Sequence, residues 1–582
     1  MLPSGPTAAS RPRPSLIPGI DLVRSYERRW LTKDVVAGLI LTALLVPQGM
    51  AYAELAGLPA ITGLYTSVMC LLAYAVFGPS RVLVLGPDSS LGPMIAATIA
   101  PLLLADGDPA RAVALASMLA LLVGSVMVLA GFAKLGFVAD LLSKPTQIGY
   151  MNGLALTILV GQLPKLFGFS VDADGLLDEA EGFVRGVADG AVVAPAAWIG
   201  LGSLSLILVL QSRLPKIPAV LVAVVVSIAA VDVFGLADQG VSVVGTLPQG
   251  FPPFTIPDVS FSDAMKLIPG ALGIALVALV DTISTASAFA GRLGRRVDGD
   301  QEMIGIGAAN ASAGLFQGFA VSTSGSRTAV AEQAGAKTQV AGLVGAVSIT
   351  LILLLVPGLL RNLPQPTLAA IVIAASLSLA DIPGTIRLGR QRRTELLLSI
   401  AAFLGVALLG VLPGIAVAVG LSILNVFRRA WRPYRAILGR VDGVPGMHDL
   451  TSYPQAETLD GLVVLRFDAP LIFANARTFR EQIQEIADEH QELRWIVIAA
   501  EPITDVDTTA ADMLVTLDAE LSGRGISLRF AELKDPVRNK IERYGLADVL
   551  DPGHFYPTVN AAVHAFQEET GATWPGAHGD DG

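Results

Sequence analysis

Apolar runs of about 17 to 25 residues, the length a helix needs to cross the hydrocarbon layer of a bilayer, recur between residues 35 and 427. The clear ones are 35–53, 61–77, 110–132, 147–167, 198–210, 217–234, 267–290, 339–355 and 396–409. Others are shorter or broken by Gly and Pro: 88–100, 304–319, 326–334, 368–379 and 411–427. The pattern predicts about fourteen spans. Beyond residue 440 it changes character. Short β-rich runs at 462–467, 495–499 and 526–531 there alternate with helical spacing at 476–490, 509–521, 536–544 and 557–568, the signature of a small α/β domain.

The weak spans carry more information than the clear ones. Dividing the spans into two sevens puts the third and the tenth in corresponding places, and each follows a short extended run: 81–90 leads into 91–100, and 319–326 leads into 327–334. An odd number of spans per half makes the two repeats inverted, and paired interrupted segments in such a repeat point to a binding site near the midplane. Lys and Arg gather in alternate loops. With Arg24, Arg28, Arg29 and Lys33 placed inside, so are Arg81, Lys134 with Lys144, Arg213 with Lys216, Arg292 with Arg295 and Arg296, and the basic run 387–393. Asp106, Asp108, the acidic stretch 172–189, Asp238, Asp258 and Asp263 fall on the other side. An even span count returns the chain to the cytoplasm before the α/β domain.

Composition agrees with that pattern. The chain of 582 residues is 53% hydrophobic and 15% charged, with a mean hydropathy of +0.61, which is the range of multi-spanning membrane proteins. The single cysteine, Cys70, leaves no intrachain disulfide and no Cys-based metal site. The net charge of -10 sits largely in the tail and loops and identifies no partner. Residues 1–20, rich in Pro and Arg, have no apolar core ending at a cleavage site, so they are not a signal peptide.

Residues 318–332 place hydroxyls, a glycine and an arginine between membrane-length apolar segments, where irregular backbone survives only if it is buried in protein or lines a cavity. A helix that starts there leaves unpaired N–H groups and a partial positive charge, and an anion satisfies both. Ser89 and Ser90 stand at one expected helix start, and Gly325 and Ser326 at the other. Arg327 either adds positive charge to an anion site or pairs with an acid such as Glu332 or Asp281. Asp281, inside an apolar span, either titrates or holds a cation, with Thr285 one turn later on the same face, or is a structural partner of Arg327. Gln48 and Tyr52, one turn apart after a break expected at Pro47, can hold an oxyanion without adding charge. Asp88 would repel an anion, so it is expected to cap its helix or face away.

Several motifs carry a resemblance: Val46-Pro-Gln-Gly-Met-Ala-Tyr-Ala-Glu-Leu-Ala-Gly57, Gly63-Leu-Tyr-Thr-Ser67, Leu85-Gly-Pro-Asp88, Asp298-Gly-Asp-Gln-Glu-Met303 and Ser324-Gly-Ser-Arg-Thr328, in that order. The chain resembles the SulP anion permeases, bacterial and plant relatives of solute carrier family 26. The resemblance implies a polytopic α-helical membrane protein, a seven plus seven inverted-repeat transporter with core and gate domains and two half-helices meeting at the midplane. It also implies an elevator-like movement of the core and a homodimer. It makes Gln48, Tyr52, Ser89, Ser90, Gly325 and Ser326 the substrate-facing set, with Arg327 supplying positive field. Asp281 matches a position that is Glu in plant proton-coupled sulfate permeases and Asp in a sodium-coupled cyanobacterial bicarbonate relative. With Thr285 it resembles the sodium pattern, whereas the Gln-Gly-Met-Ala-Tyr-Ala run resembles the sulfate group. The tail resembles a C-terminal STAS domain, and Asp507-Thr-Thr-Ala510 matches its Asp-Ser/Thr-Ser-Gly loop, which puts Thr509 at the position phosphorylated in bacterial anti-sigma antagonists, although Ala510 departs from the usual Gly and favours a structural or dimer-regulating tail over a phosphorylation switch.

The resulting expectations are a disordered N-terminus at 1–20, a transport domain at 21–432, a linker at 433–450, a cytoplasmic STAS domain at 451–570 and a disordered tail at 571–582. Function is expected to be secondary active transport of a small inorganic oxyanion across the cytoplasmic membrane, with sulfate first, bicarbonate second and a dicarboxylate third. Protons or sodium drive it, with Na⁺ near Asp281 as the candidate bound ion and no cofactor. Both termini are expected inside, with a possible cytoplasmic partner for the STAS domain. An uncoupled anion channel and a membrane-tethered signalling protein acting through Thr509 are the alternatives. No enzyme signature and no nucleic-acid motif rises from the chain.

Overall fold

The computed structural model describes residues 17–575 apart from 104–107, 138–141, 172, 174, 215–216, 293–296 and 546–551. The expectations for residues 1–16 and 576–582, and the loop charges at Asp106, Lys216, Arg295 and Arg296, lie outside the described residues. The chain divides into two compact units, Met1–Ser422 and Ile423–Gly582.

The helices of the first unit run α1 (Pro18–Arg24), α2 (Leu31–Leu55), α3 (Ala60–Phe77), α4 (Gly92–Ile99), α5 (Pro109–Phe132), α6 (Lys144–Leu166), α7 (Leu176–Ala188), α8 (Ala194–Arg213) and α9 (Ala219–Phe234). They continue as α10 (Phe261–Arg292), α11 (Gly299–Leu315), α12 (Gly325–Gln333), α13 (Val340–Leu355), α14 (Gln365–Leu379), α15 (Ile382–Gln391), α16 (Arg393–Leu409) and α17 (Val411–Trp431), the last ending in the second unit. The fourteen expected spans are present as α2–α6, α8–α14, α16 and α17. Among the described helices seven are long and apolar enough to cross a membrane on their own. The two sevens correspond: α4 and α12 are the short third members, and α7 and α15 are amphipathic helices at the same place in each half. Neither amphipathic helix is foreseen by span length, because half of each faces away from the protein interior. Helix α1 begins at Pro18, so residues 18–20 of the stretch expected to be disordered are helical.

Local chemistry sets several boundaries. Proline opens α4, α5, α6, α8, α14 and α15, where its missing N–H has no intrahelical partner to lose. Asp108 caps α5 by accepting from Ala110 N at 2.9 Å, and Asp298 caps α11 by accepting from Gln301 N at 3.1 Å. Helix α2 passes unbroken through Pro47, which corrects the expected interruption; its ring forgoes one backbone bond without ending the helix.

Two helical groups form the first unit. In one, α2 to α5 pack with α10 to α13; in the other, α6 packs with α14 and α16, and α8 with α9 and α14. Glycine permits the tightest approaches in the first group. A Cβ on Gly63 of α3 would lie 1.9 Å from the Gly49 carbonyl oxygen of α2, and one on Gly124 of α5 would lie 2.7 Å from the Gly307 carbonyl oxygen of α11. Backbones this close replace the hydrophobic drive that lipid cannot supply between helices.

The first unit also contains two very short strands, β1 (Leu85–Gly86) and β2 (Ser322–Thr323). The second unit is a six-stranded sheet in the order β4-β3-β5-β6-β7-β8, built from β3 (Arg435–Val441), β4 (Val444–Asp449), β5 (Leu462–Phe467), β6 (Trp495–Ala499), β7 (Ser527–Ala531) and β8 (Phe555–Tyr556). Strands β5 to β8 are parallel, and β3 is antiparallel to both β4 and β5. The first two strands occupy the stretch expected to be a linker: β4 is exposed and polar, so its period-two signal is weak. Helices α18 (Ala476–Glu489), α19 (Thr508–Ser522), α20 (Asp535–Arg543) and α21 (Val559–Thr570) complete the domain. Alternation along the strands sorts its two cores. Val463, Leu465 and Phe467 join Phe479 and Leu514 on one face, while Leu462 and Val464 join Trp495 and Phe566 on the other.

Candidate anion site at two facing helix starts

Strands β1 and β2 pair antiparallel, Leu85 with Thr323 and Gly86 with Ser322, so the segments leading into α4 and α12 lie side by side. Ser324 N donates to Val84 O at 3.2 Å, and Val84 N donates to Thr328 Oγ1 at 3.1 Å. These bonds answer the requirement that extended backbone surrounded by apolar helices be satisfied within the protein. They join residues more than 230 positions apart and bring the two expected half-helices together.

Helix α12 is capped by Ser324, whose hydroxyl accepts from Arg327 N at 3.4 Å and lies 3.1 Å from the Ser326 hydroxyl. Ser326, expected as the possible cap, is instead inside the first turn. With Gly325 it is exposed, facing space that the protein leaves open. A Cβ on Gly325 would lie 3.9 Å from Thr285 Oγ1, so Thr285 of α10 stands beside this turn. Thr323 Oγ1 donates to Thr282 Oγ1 at 3.2 Å, tying β2 to the same helix.

On the other side, α4 begins at Gly92. Ser89 and Ser90 therefore lie in the turn before the helix and not in its first turn. Asp88 organises that turn, its Oδ1 accepting from Ser90 N at 2.9 Å and from Ser90 Oγ at 2.7 Å. The carboxylate does not face away. Its Oδ2 lies 3.7 Å from Arg327 Nη2, so Asp88 stands beside Arg327, an acid other than the Glu332 and Asp281 named as examples of a pairing partner. Ser90 Oγ also lies 3.3 Å from Asp281 Oδ2, which produces a continuous sequence Arg327, Asp88, Ser90, Asp281.

Arg327 is the unusual member. Its side chain is 1% exposed, and Nε, Nη1 and Nη2 all lack a hydrogen-bond partner. Buried polar groups are almost always paired, and buried charges still more strictly. Gly86 makes room for it, since a Cβ there would lie 3.1 Å from Arg327 Nη1. Tyr52 of α2 is buried, with Ser89, Asp88 and Arg327 as its polar neighbours, and Gln48 is half-buried one turn earlier on the same helix. The predicted residues thus gather on α2, α10, α12 and the turn before α4, all in one helical group. Two features escaped the sequence: the Asp88 contact, and Tyr150 of α6, a buried tyrosine of the other group whose electrostatic neighbours include Asp281 and Asp88. A tyrosine inside an apolar span is a signal, but which way it points is not. Among the described residues no group of three or more His, Cys, Asp or Glu is placed to hold a metal ion.

In the second unit, Asp507 Oδ1 caps α19 by accepting from Ala510 N at 2.8 Å, and its Oδ2 accepts from Phe473 N at 2.7 Å. Both oxygens are thereby engaged by backbone, while Thr509, in the first turn of α19, is exposed.

Comparison with known proteins joins these observations to a family. Residues 31–402 match the model of the Sulfate permease family, and residues 453–562 match that of the STAS domain. A Mycobacterium tuberculosis (strain ATCC 25618 / H37Rv) protein named "Probable sulfate transporter" is 41% identical over 551 residues, covering 94% of this chain and 98% of the relative. An Arabidopsis thaliana protein named "Probable sulfate transporter 3.3" is 30% identical over 578 residues, covering 94% and 90%. Among solved structures, the murine Solute Carrier 26 family member A9 anion transporter in the inward-facing state superposes with a TM-score of 0.88 at 24% identity, over 97% of this chain and 96% of that one. The transmembrane domain of the cyanobacterium bicarbonate transporter BicA superposes with a TM-score of 0.58 at 21% identity, over 69% and 98%. With these matches over most of its length, the chain belongs to the sulfate permease family and ends in a STAS domain.

Proposed function

We propose that this protein is a secondary active transporter of a small inorganic oxyanion, sulfate first, driven by a proton or sodium gradient. One observation carries the reading. Arg327 is a buried guanidinium without a hydrogen-bond partner, standing where two helix starts meet. A ligand with negative charge and several oxygens supplies what it lacks, and Ser89, Ser326, Gln48 and Tyr52 offer neutral donors around it. Sulfate is placed first because the relatives from Mycobacterium and Arabidopsis bear that name. Bicarbonate and a dicarboxylate are the competitors.

Asp281 and Thr285 are the coupling pair in this reading. The Ser90 hydroxyl owns one hydrogen and gives it to Asp88 at the shorter distance, so toward Asp281 it can only accept. A protonated Asp281 donates to that oxygen; alternatively, a sodium ion takes the Asp281 carboxylate with the Thr285 hydroxyl. With neither present, Asp281 adds a second negative charge beside Asp88 and opposes the incoming anion. Cation and anion therefore favour one another's binding, which is a coupling free energy in the thermodynamic sense. Gln48, Tyr52, Ser89, Ser90, Gly325, Ser326 and Arg327 all belong to the group of α2 to α5 and α10 to α13, so movement of that group as a body carries these residues together, which supports an elevator mechanism.

The alternating basic and acidic loops support the cytoplasmic membrane, with both termini inside. A homodimer, and a STAS domain that regulates it or meets a cytoplasmic partner through the exposed Thr509 region, complete the proposal. Proteoliposomes are expected to take up radiolabelled sulfate, bicarbonate or a dicarboxylate under an imposed proton or sodium gradient, with competing anions ranking the substrates. Absence of gradient-dependent uptake of all three would end the transporter reading.

A further inference from the structure

Tyr150 holds a position that the anion site as described does not use. It is fully buried, and its hydroxyl has no hydrogen-bond partner in the protein. A phenol is normally buried with its O–H paired, so this orphan marks a partner that the chain itself does not provide. The direction of the side chain follows from its neighbours on α6. A Cβ on Gly149 would lie 2.1 Å from Ser399 O, and one on Gly153 would lie 2.9 Å from Phe403 O, so this pair, four residues apart, presses one side of α6 against α16. Tyr150, the next residue round the helix from Gly149, leaves that contact and has Asp281 and Asp88 as its electrostatic neighbours. These belong to the opposite helical group.

We propose that Tyr150 is a substrate-binding residue contributed by the second helical group, its hydroxyl donating a hydrogen bond to the bound oxyanion. This rests on the oxyanion reading of the Arg327 site. An oxyanion held by Arg327 and the serines presents its remaining oxygens away from them, and a neutral donor from the other helical group suits those oxygens. The two carboxylates nearby already have donors or a cation: Asp88 takes Ser90 and Arg327, and Asp281 has the coupling ion in this reading. The hydroxyl is thus free for the substrate. It also makes the anion a bridge between the two groups of helices, so the affinity of the site depends on how those groups are set against one another.

The test is sulfate binding to the purified full-length protein by titration calorimetry at fixed pH and sodium, alongside its thermal unfolding without sulfate. Tyr150→Phe removes only the hydroxyl and is expected to weaken sulfate binding about tenfold, the usual scale for one hydrogen bond to a charged group, with the unfolding midpoint unchanged. Unchanged sulfate affinity in the folded variant would overturn the proposal. So would a loss confined to sodium, with a higher half-saturating sodium concentration and unaltered sulfate affinity, since the hydroxyl would then serve the coupling ion. Should Tyr150→Phe not fold, Tyr150→His, which keeps a ring N–H donor, is compared with Tyr150→Leu, which keeps none; equal affinities in these two overturn the proposal. Wild-type protein that binds neither sulfate, bicarbonate nor a dicarboxylate defeats the oxyanion reading itself, whereas wild-type binding indifferent to Tyr150 defeats only the present assignment.

Discussion

Replacing Arg327 and Asp88 together, as Arg327→Met with Asp88→Asn, is expected to stabilise the ligand-free protein while abolishing its response to sulfate. The magnitude follows from the site. Burying a guanidinium costs several kcal/mol in effective terms, and an unmade hydrogen bond in the interior costs about 1–3 kcal/mol. Against this, the contact with Asp88 at 3.7 Å returns about 4 kcal/mol at an effective dielectric of about 20. The balance in the absence of substrate is unfavourable, and removing both charges recovers about 1–3 kcal/mol. Asn at 88 still accepts from the Ser90 donors. Arg327→Met alone strands the mostly buried Asp88 and is expected to lose about 3 kcal/mol instead. The stability order is then double variant, wild type, single variant. Sulfate at about 100 times its dissociation constant adds about 2.7 kcal/mol to the wild type and nothing to the double variant. Thermal unfolding in detergent, with and without sulfate, reads both effects. A double variant less stable than wild type without sulfate would show that Arg327 is a net structural contributor, and a sulfate response in that variant would remove Arg327 from the site.

Three further substitutions probe the surrounding structure. Gly86→Ala places a methyl 3.1 Å from Arg327 Nη1 and 3.4 Å from Leu45 Cδ2; it is expected to weaken sulfate binding about tenfold, equivalent to about 1.4 kcal/mol of displaced geometry, and unchanged binding would show that Arg327 has room to yield. Asp281→Asn is expected to abolish concentrative uptake in proteoliposomes while anion binding stays measurable, and a variant that still concentrates substrate makes Asp281 structural. Gly63→Ala forces a Cβ to 1.9 Å from Gly49 O and must separate α2 from α3; a loss of about 3 kcal/mol or more, or failure to accumulate as a monodisperse protein in size-exclusion chromatography, is expected, and wild-type behaviour would contradict the close approach.

The sequence by itself determined the spans, their grouping into two sevens and the likeness of the two weak members, because hydropathy over a membrane's thickness is a local property that packing does not overrule. It also singled out Arg327, Asp281 and the serines, since polar groups in apolar runs stand out before any contact is known. It did not reveal α1, α7 and α15, which lack span length, or β3 and β4, whose sheet partners identify them better than their composition does. Above all, partner choice belonged to the tertiary structure. Leu85 meets Thr323, and Asp88 meets Arg327, across more than 230 residues. A carboxylate read along the chain as a threat to an anion turns out to stand beside the arginine proposed to attract one. For Tyr150 likewise, the buried hydroxyl without a partner, and the close approach of Gly149 and Gly153 to α16, exist only in the packed structure. Patterns along the chain report the solvent each residue prefers; which charge neutralises which depends on backbone approach and side-chain direction, and those exist only once the helices have packed.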